Sequence, residues 1–240
     1  MSLAHQPRAI HLKPATELAE RVLLPGVPHR ALAVAQAVLD APKMFNHSRG
    51  LWGYTGVARD GGLLTVQSTG MGGPSAAIVV EELIALGARR LVRIGTCGAL
   101  AEGLELSTLV AAESVLPDDG ASAALGADGA VHPDPDLLEG LVAAGARPTT
   151  AVSTDLFYDP RSGTAAAWME RGAAVVEMEA ATVLQLAARH GVAAACVLGV
   201  SDVPGATGAR RASAEELTEI GLAVGEAGYR ALAAGPTTTR

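Results

Sequence analysis

Lysine is nearly missing from this 240-residue chain. Only Lys13 and Lys43 occur, and no G-x-x-x-x-G-K-[ST] run exists, which excludes a P-loop nucleotide hydrolase. Blocks of basic residues are also missing. The net charge is -7, so the chain lacks the cationic surface that nucleic acid or an anionic membrane requires. Cysteine is as sparse. Cys97 and Cys196 stand singly in apolar strand or strand-turn contexts, with no C-x-x-C and no Cys/His cluster, so neither a disulfide framework nor a metal site is expected. The first 30 residues contain Pro7, Arg8, Lys13, Glu17 and Glu20 but no long apolar core, and no run reaches the roughly 18 apolar residues of a membrane span. Together these absences predict a soluble, cytoplasmic protein.

What is present is apolar residue (49%) and glycine (28 residues), enough for one large α/β domain over residues 1–240. Arginine supplies 16 of the 18 basic residues. Its planar fork suits phosphate or carboxylate, although genome composition produces the same bias.

The chain is organised around residues 63–100. An apolar run (63–66), a glycine turn (Gly70, Gly72, Gly73), a helical stretch (74–86), a second apolar run (91–94) and a second turn (Gly95, Gly98) spell a βαβ unit. Thr69, Ser75, Arg93 and Thr96 sit in or beside the two turns, where open α/β sheets bind ligands. Gly70, Gly72 and Ser75 approach the dinucleotide fingerprint, but Ser75 replaces its last glycine and no acidic residue closes the second strand. A purely structural glycine turn is the competing reading. Arg93 tips the balance, because a guanidinium inside an apolar run is costly to bury unless it meets an anion.

Strands and helices alternate through the rest of the chain. Residues 1–16, with His5 and His11, are irregular. A strand at 21–24 leads through Gly26 and Arg30 into a helix at 31–39, a pattern that places an arginine beside the free N–H groups of a helix start. A polar loop at 44–50 carries Arg49, and strands follow at 51–57 and 63–68. Beyond the central unit come a strand (107–115), a loop (117–135), a helix (135–144), a strand (149–152) and a loop (153–159) holding Phe157. A helix (162–170), a strand (173–177), a helix (182–190) and a strand (193–200) ending in Ser201-Asp202 complete the alternation. The next loop holds Pro204, Gly205, Gly208, Arg210 and Arg211. A capping box at Ser213 and Glu216 opens the last helix, and a polar tail covers 236–240. In a mostly parallel sheet the strand ends share one edge, so Gly26, Arg30, Thr69, Thr96, Phe157, Glu179 and Asp202 would meet in one crevice. Such a set suits an anion, a sugar and a heterocycle.

The stretches PGVPHRA, STGMGGPSAAIVVEELIALGARRLVRIGTCGAL, STDLFY, VVEMEAAT and GVSD resemble the nucleoside phosphorylase family of the purine nucleoside and uridine phosphorylase type over nearly the whole chain. The resemblance implies an α/β three-layer sandwich around a twisted mixed sheet, and phosphorolysis of a ribonucleoside to free base and ribose 1-phosphate. It implies no metal and no cofactor, inorganic phosphate as co-substrate, and homohexamers built as trimers of dimers with shared active sites. Carried over by residue, it makes Gly26, Arg30, Arg93 and Thr96 phosphate ligands, with Arg49 reaching a neighbour's phosphate. Met178 and Glu179 hold the ribose, and His11 from a neighbour reaches its 5′-hydroxyl, with His5 as the competing histidine. Phe157 lies on the base, with Arg161 and Arg210 as further base contacts. Asp202 is the acid, oriented by Arg210 or Arg211, and Arg93 assists the chemistry. One departure is Val27, where the family commonly has Asp.

Alternatives at this stage are three. A uridine phosphorylase keeps an arginine such as Arg161 after the phenylalanine, but this loop lacks the accompanying glutamine. A nucleosidase uses water and lacks the arginine of the PGxPxR motif. A non-catalytic nucleoside-binding protein would have lost an acid or an arginine. Ser201-Asp202 before Pro-Gly is also ordinary turn chemistry, His132 reads as a surface residue, and Cys97 reads as a small core residue.

Overall fold

The computed structural model describes residues 9–100, 102–204 and 208–234. His5, Gly205 and the tail 236–240 lie outside the described residues. Regular structure opens with β1 (Arg21–Pro25), an almost wholly buried strand, and α1 (Pro28–Val38), which starts where proline presets the helical φ. Three antiparallel strands follow, β2 (Leu39–Asn46), β3 (Gly53–Ala58) and β4 (Leu63–Gln67). Residues 44–46, expected in a polar loop, instead finish β2. Phe45 and Asn46 are fully buried there, and pairing with β3 overrides local polarity.

Next comes α2 (Gly73–Leu86), which ends on Gly87 in the left-handed conformation, φ 116°. β5 (Arg90–Ala99) then runs ten residues. Gly95 and Gly98, expected to turn the chain, are inside this strand. β6 (Leu109–Asp118) is followed by α3 (Gly120–Ala124), a short helix within the expected loop, where the Asp119 carboxylate accepts from the Ser122 N–H. The chain continues through α4 (Pro135–Ala143), β7 (Arg147–Thr154), α5 (Thr164–Glu170), β8 (Val175–Glu177) and α6 (Ala180–His190). It closes with β9 (Ala193–Val203), the two-residue β10 (Arg210–Arg211) and α7 (Ala214–Ala233). The capping box opening α7 forms as the sequence predicts, with Ser213 and Glu216 bonding reciprocally.

The ten strands of the described residues join one sheet in the order β10-β9-β6-β7-β8-β5-β1-β4-β3-β2. A further pairing of β9 with β5 closes β5, β9, β6, β7 and β8 into a ring, from which the other strands extend. The sheet is mixed rather than mostly parallel. β1, β4, β5 and β9 run one way, while β6, β7 and β8 run the other. The ends of β1, β4, β5 and β9 therefore share an edge, as expected, while those of β7 and β8, leading to Phe157 and Glu179, approach it from the opposite direction. The decisive pair is β8 against β5. It is antiparallel, matching Val176 with Gly98, and it sends Glu177 and Glu179 back along β5 toward Arg93.

Helices cover both faces. One core gathers Val79 and Leu83 of α2 with Val183 and Leu184 of α6; the other gathers Val34 of α1, Leu141 of α4 and Val224 of α7. Successive strand residues alternate between them, Val22 and Leu24 to the first and Leu23 to the second. This is a three-layer α/β arrangement around a mixed sheet. Among the described residues, no helix is long and apolar enough to cross a membrane.

Candidate active site

A cleft of about 460 Å³ opens where the two strand sets meet. One end is made by the β1–α1 turn and by β5, with Gly26, Arg30, Arg93 and Thr96 on its wall. The other end is made by the loop after β7, the end of β9 and β10, with Phe157, Asp202 and Arg211. Met178 and Glu179, at the turn from β8 into α6, also line the cleft.

At the first end, Arg93 is 4% exposed. Its Nε donates to Glu177 Oε2 at 2.9 Å and its Nη2 donates to Glu179, while Nη1 has no hydrogen-bond partner among the described residues. Burial alone would lower its pKa, but the carboxylates of Glu179 and Glu177 outweigh that and raise it. Gly95 permits this geometry. Two residues along the same strand, it points to the same side, and a Cβ there would stand 3.0 Å from Arg93 Nη2 and 2.9 Å from Leu198. Arg30 is half-buried beside it, against Gly221 of α7, where a Cβ would meet Arg30 Nε at 3.3 Å. Burial and the neighbouring Arg93 push its pKa down to about 10, against the pull of Glu179. A buried guanidinium with a half-buried one on the same cleft wall forms a place for an anion.

Glu177 was given no role by sequence reasoning, yet it organises this end. Its carboxylate takes Arg93 Nε, the N–H of Glu179 at 2.9 Å, the N–H of Ala180 at 2.8 Å and the Ser153 hydroxyl. The first N–H groups of α6 are thus satisfied by Glu177 and by Ser153 Oγ, which accepts from Ala181 N–H at 2.9 Å. A signal existed: Glu177 is a charge ending an apolar run, the same anomaly that marks Arg93. Glu179 is itself 5% exposed and accepts from Gly72 N–H at 2.5 Å. Burial raises its pKa, Arg93 opposes that, and the Glu177 charge adds to the rise. Gly72, at φ 85°, can present that N–H only from the left-handed region. Thr69 and Ser75 serve the loop rather than the cleft wall, with Ser75 Oγ donating to the Thr69 carbonyl at 2.6 Å.

At the second end, Asp202 Oδ1 meets Arg211 Nε at 2.9 Å and Oδ2 accepts from Ser201 Oγ at 2.7 Å. The Arg211 guanidinium lies 5.6 Å over the Phe157 ring, whose own face is largely exposed. Of the two arginines considered for Asp202, Arg211 is its partner. β10 pairs Arg211 with Asp202 and Arg210 with Val203, and alternation along the strand turns Arg210 away from the cleft.

Three further sequence candidates do not line the cleft of their own chain. Arg161 is exposed and bound to Asp159, Nη2 to Oδ2 at 2.8 Å. Arg49 is exposed in the β2–β3 loop, with a left-handed backbone at φ 59°. His11 lies 2.7 Å from Glu82 of α2. Val27 is the N-cap of α1 and forms no side-chain cap, and it lines the cleft mouth. Cys97 is buried in the cleft wall, its thiol pKa pushed up by burial, and His132 is exposed near the Glu113 carbonyl. Among the described residues, no three His, Cys, Asp or Glu side chains gather as a metal site would.

Comparison with known proteins identifies the family. The sequence pattern of the phosphorylase superfamily matches residues 20–234. The chain is 40% identical over 197 residues to the purine nucleoside phosphorylase DeoD-type of Caldanaerobacter subterraneus subsp. tengcongensis, covering 78% of this chain and 84% of that protein. It is 36% identical over 204 residues to the protein of the same name from Geobacillus kaustophilus, covering 81% and 86%. With that of Alkaliphilus metalliredigens it shares 37% over 198 residues, covering 78% and 83%.

Proposed function

The chain belongs to the phosphorylase superfamily, and we propose that its cleft cleaves the N-glycosidic bond of purine nucleosides with inorganic phosphate, giving free base and ribose 1-phosphate. The observation that carries this reading is Arg93: a buried guanidinium beside Arg30, anchored by two carboxylates, with Nη1 unpartnered among the described residues. Phosphate oxygens meet Arg30, Arg93, the Gly26 backbone and Thr96. Ribose lies along Met178 and Glu179, and the base against Phe157. No metal or cofactor enters.

In the reaction a phosphate oxygen forms a bond to C1′ as the C1′–N9 bond breaks and its electron pair moves into the purine. Positive charge on the sugar is met by the phosphate, and charge on the base by a proton delivered to N7. Asp202 supplies that proton, and Arg211 and Ser201 hold the carboxylate it leaves behind. The purine names of the relatives support this choice of base, and so does a carboxyl in the base end of the cleft.

The assembly is taken from the family resemblance, and the charge count is in keeping with it. Arg30 and Arg93 formally balance Glu177 and Glu179, so a phosphate dianion calls for another cation. Arg49 and His11, both outside their own cleft, supply a neighbouring copy, Arg49 at the phosphate and His11 at the 5′-hydroxyl.

Substitution of the acid tests the base reading. Asp202→Asn, nearly isosteric but unable to give up a proton, should lose roughly 10²-fold or more of inosine turnover, while any uridine cleavage suffers much less. A uridine-preferring enzyme whose Asp202→Asn variant stays fully active would contradict it.

A further inference from the structure

The irregular segment around residues 10–12 is attached to the fold by one buried carboxylate. Glu82, on α2 and 5% exposed, accepts from the N–H groups of Ile10 (3.0 Å), His11 (3.0 Å) and Leu12 (2.7 Å), and lies 2.7 Å from His11 Nδ1. Burial pushes its pKa up, but the donors from Leu12, Ile10 and His11 outweigh it and hold the group below the usual carboxylate range. On the next residues, the Leu12 side chain is 1% exposed and Lys13 N–H donates to Asn46 Oδ1 at 2.9 Å. Backbone and ring of His11 are therefore both fixed.

The chemistry of the clamp decides what the ring can do. An ionised carboxylate only accepts hydrogen bonds, so Nδ1 carries the proton, and in the neutral ring Nε2 is an acceptor. A carboxylate on Nδ1–H also makes the opposite nitrogen a better acceptor. Such a ring suits a hydroxyl proton.

We infer that Glu82 is a positioning residue for ribose recognition: by clamping His11 Nδ1 it aims Nε2 at the 5′-hydroxyl of a nucleoside in a neighbouring copy's cleft. This rests on the role of His11 proposed above. The test compares kcat/KM for inosine and 5′-deoxyinosine at saturating phosphate in the full-length enzyme, its Glu82→Gln and His11→Ala variants, and the double variant. Glu82→Gln should lower the preference for inosine roughly tenfold, the size of one hydrogen bond, and leave kcat/KM for 5′-deoxyinosine unchanged. In the His11→Ala background the same substitution should add nothing to the ratio. A ratio lost in His11→Ala but kept in Glu82→Gln overturns the positioning role alone. A ratio unchanged in His11→Ala removes the role of His11 itself, and the inference with it. Should Glu82→Gln not fold, ¹⁵N NMR of His11 in the unmodified enzyme decides: the Nδ1–H tautomer is expected, and the Nε2–H tautomer overturns the clamp.

Discussion

Burying a guanidinium in a sheet costs several kcal/mol unless its charge and its donors are met, and the surroundings of Arg93 follow from that cost. Glu177 and Glu179 meet two of its nitrogens. Arg93 was legible in the sequence because a charge interrupting an apolar run has few innocent explanations. Glu177 offered the same signal at the end of its run and went without a role, since its partners, Ser153 and the N–H groups of Glu179 and Ala180, come together only through the β7–β8 pairing and the turn into α6. Gly95 was misread as a turn, because close approach of Arg93 and Leu198 asks for the same small residue that a turn does. At this scale the test is Arg93→Ala, with Arg93→Lys to keep the charge and remove the fork. Arg93→Ala should raise the phosphate KM and lower kcat, a loss of roughly 10²-fold or more in kcat/KM for phosphate, and Arg93→Lys should recover part of it. Variants that fold and shift only the nucleoside KM would place the phosphate elsewhere.

Among elements, the helices other than α3 and the strands at 21–24 and 63–68 were readable from periodicity, from Pro28 and from the Ser213 capping box. The strands β2 and β10 were not readable, nor was the extent of β5. β2 reaches Asn46 because β3 pairs with it, and β10 exists because two arginines pair with the end of β9. That register, invisible in the sequence, chooses Arg211 over Arg210. The β2–β3 loop shows how an irregular element can be made rigid. Asn46, fully buried, donates through Nδ2 to the Leu51 carbonyl at 2.5 Å and accepts at Oδ1 from Ser48 N–H at 3.3 Å, while Arg49 takes up a strained left-handed backbone at φ 59°. A loop held this tightly can present Arg49 to another copy. Mixing Arg49→Ala chains with Arg93→Ala chains should regenerate some sites with both arginines intact. If oligomers shown to have exchanged subunits gain no activity over the separate variants, each cleft works without a neighbour.

For the whole molecule, alternation of strands and helices was enough to expect an α/β fold, and the resemblance supplied the mixed sheet. Direction along the strands was the missing piece. Reversal of β6, β7 and β8 relative to β5 and β9, with closure of those five into a ring, brings Phe157 and Glu179 into one cleft with the residues of β1, β5 and β9. Residues expected along one edge meet all the same, because β8 turns Glu177 and Glu179 back on Arg93. The central claim about this molecule is that phosphate, not water, attacks the sugar. Its most direct test is base release from inosine by the purified enzyme in phosphate-free buffer and with inorganic phosphate added, with the sugar product identified. Release is expected only with phosphate, with one ribose 1-phosphate formed for each base. Equal release in phosphate-free buffer, with free ribose as the product, would contradict it.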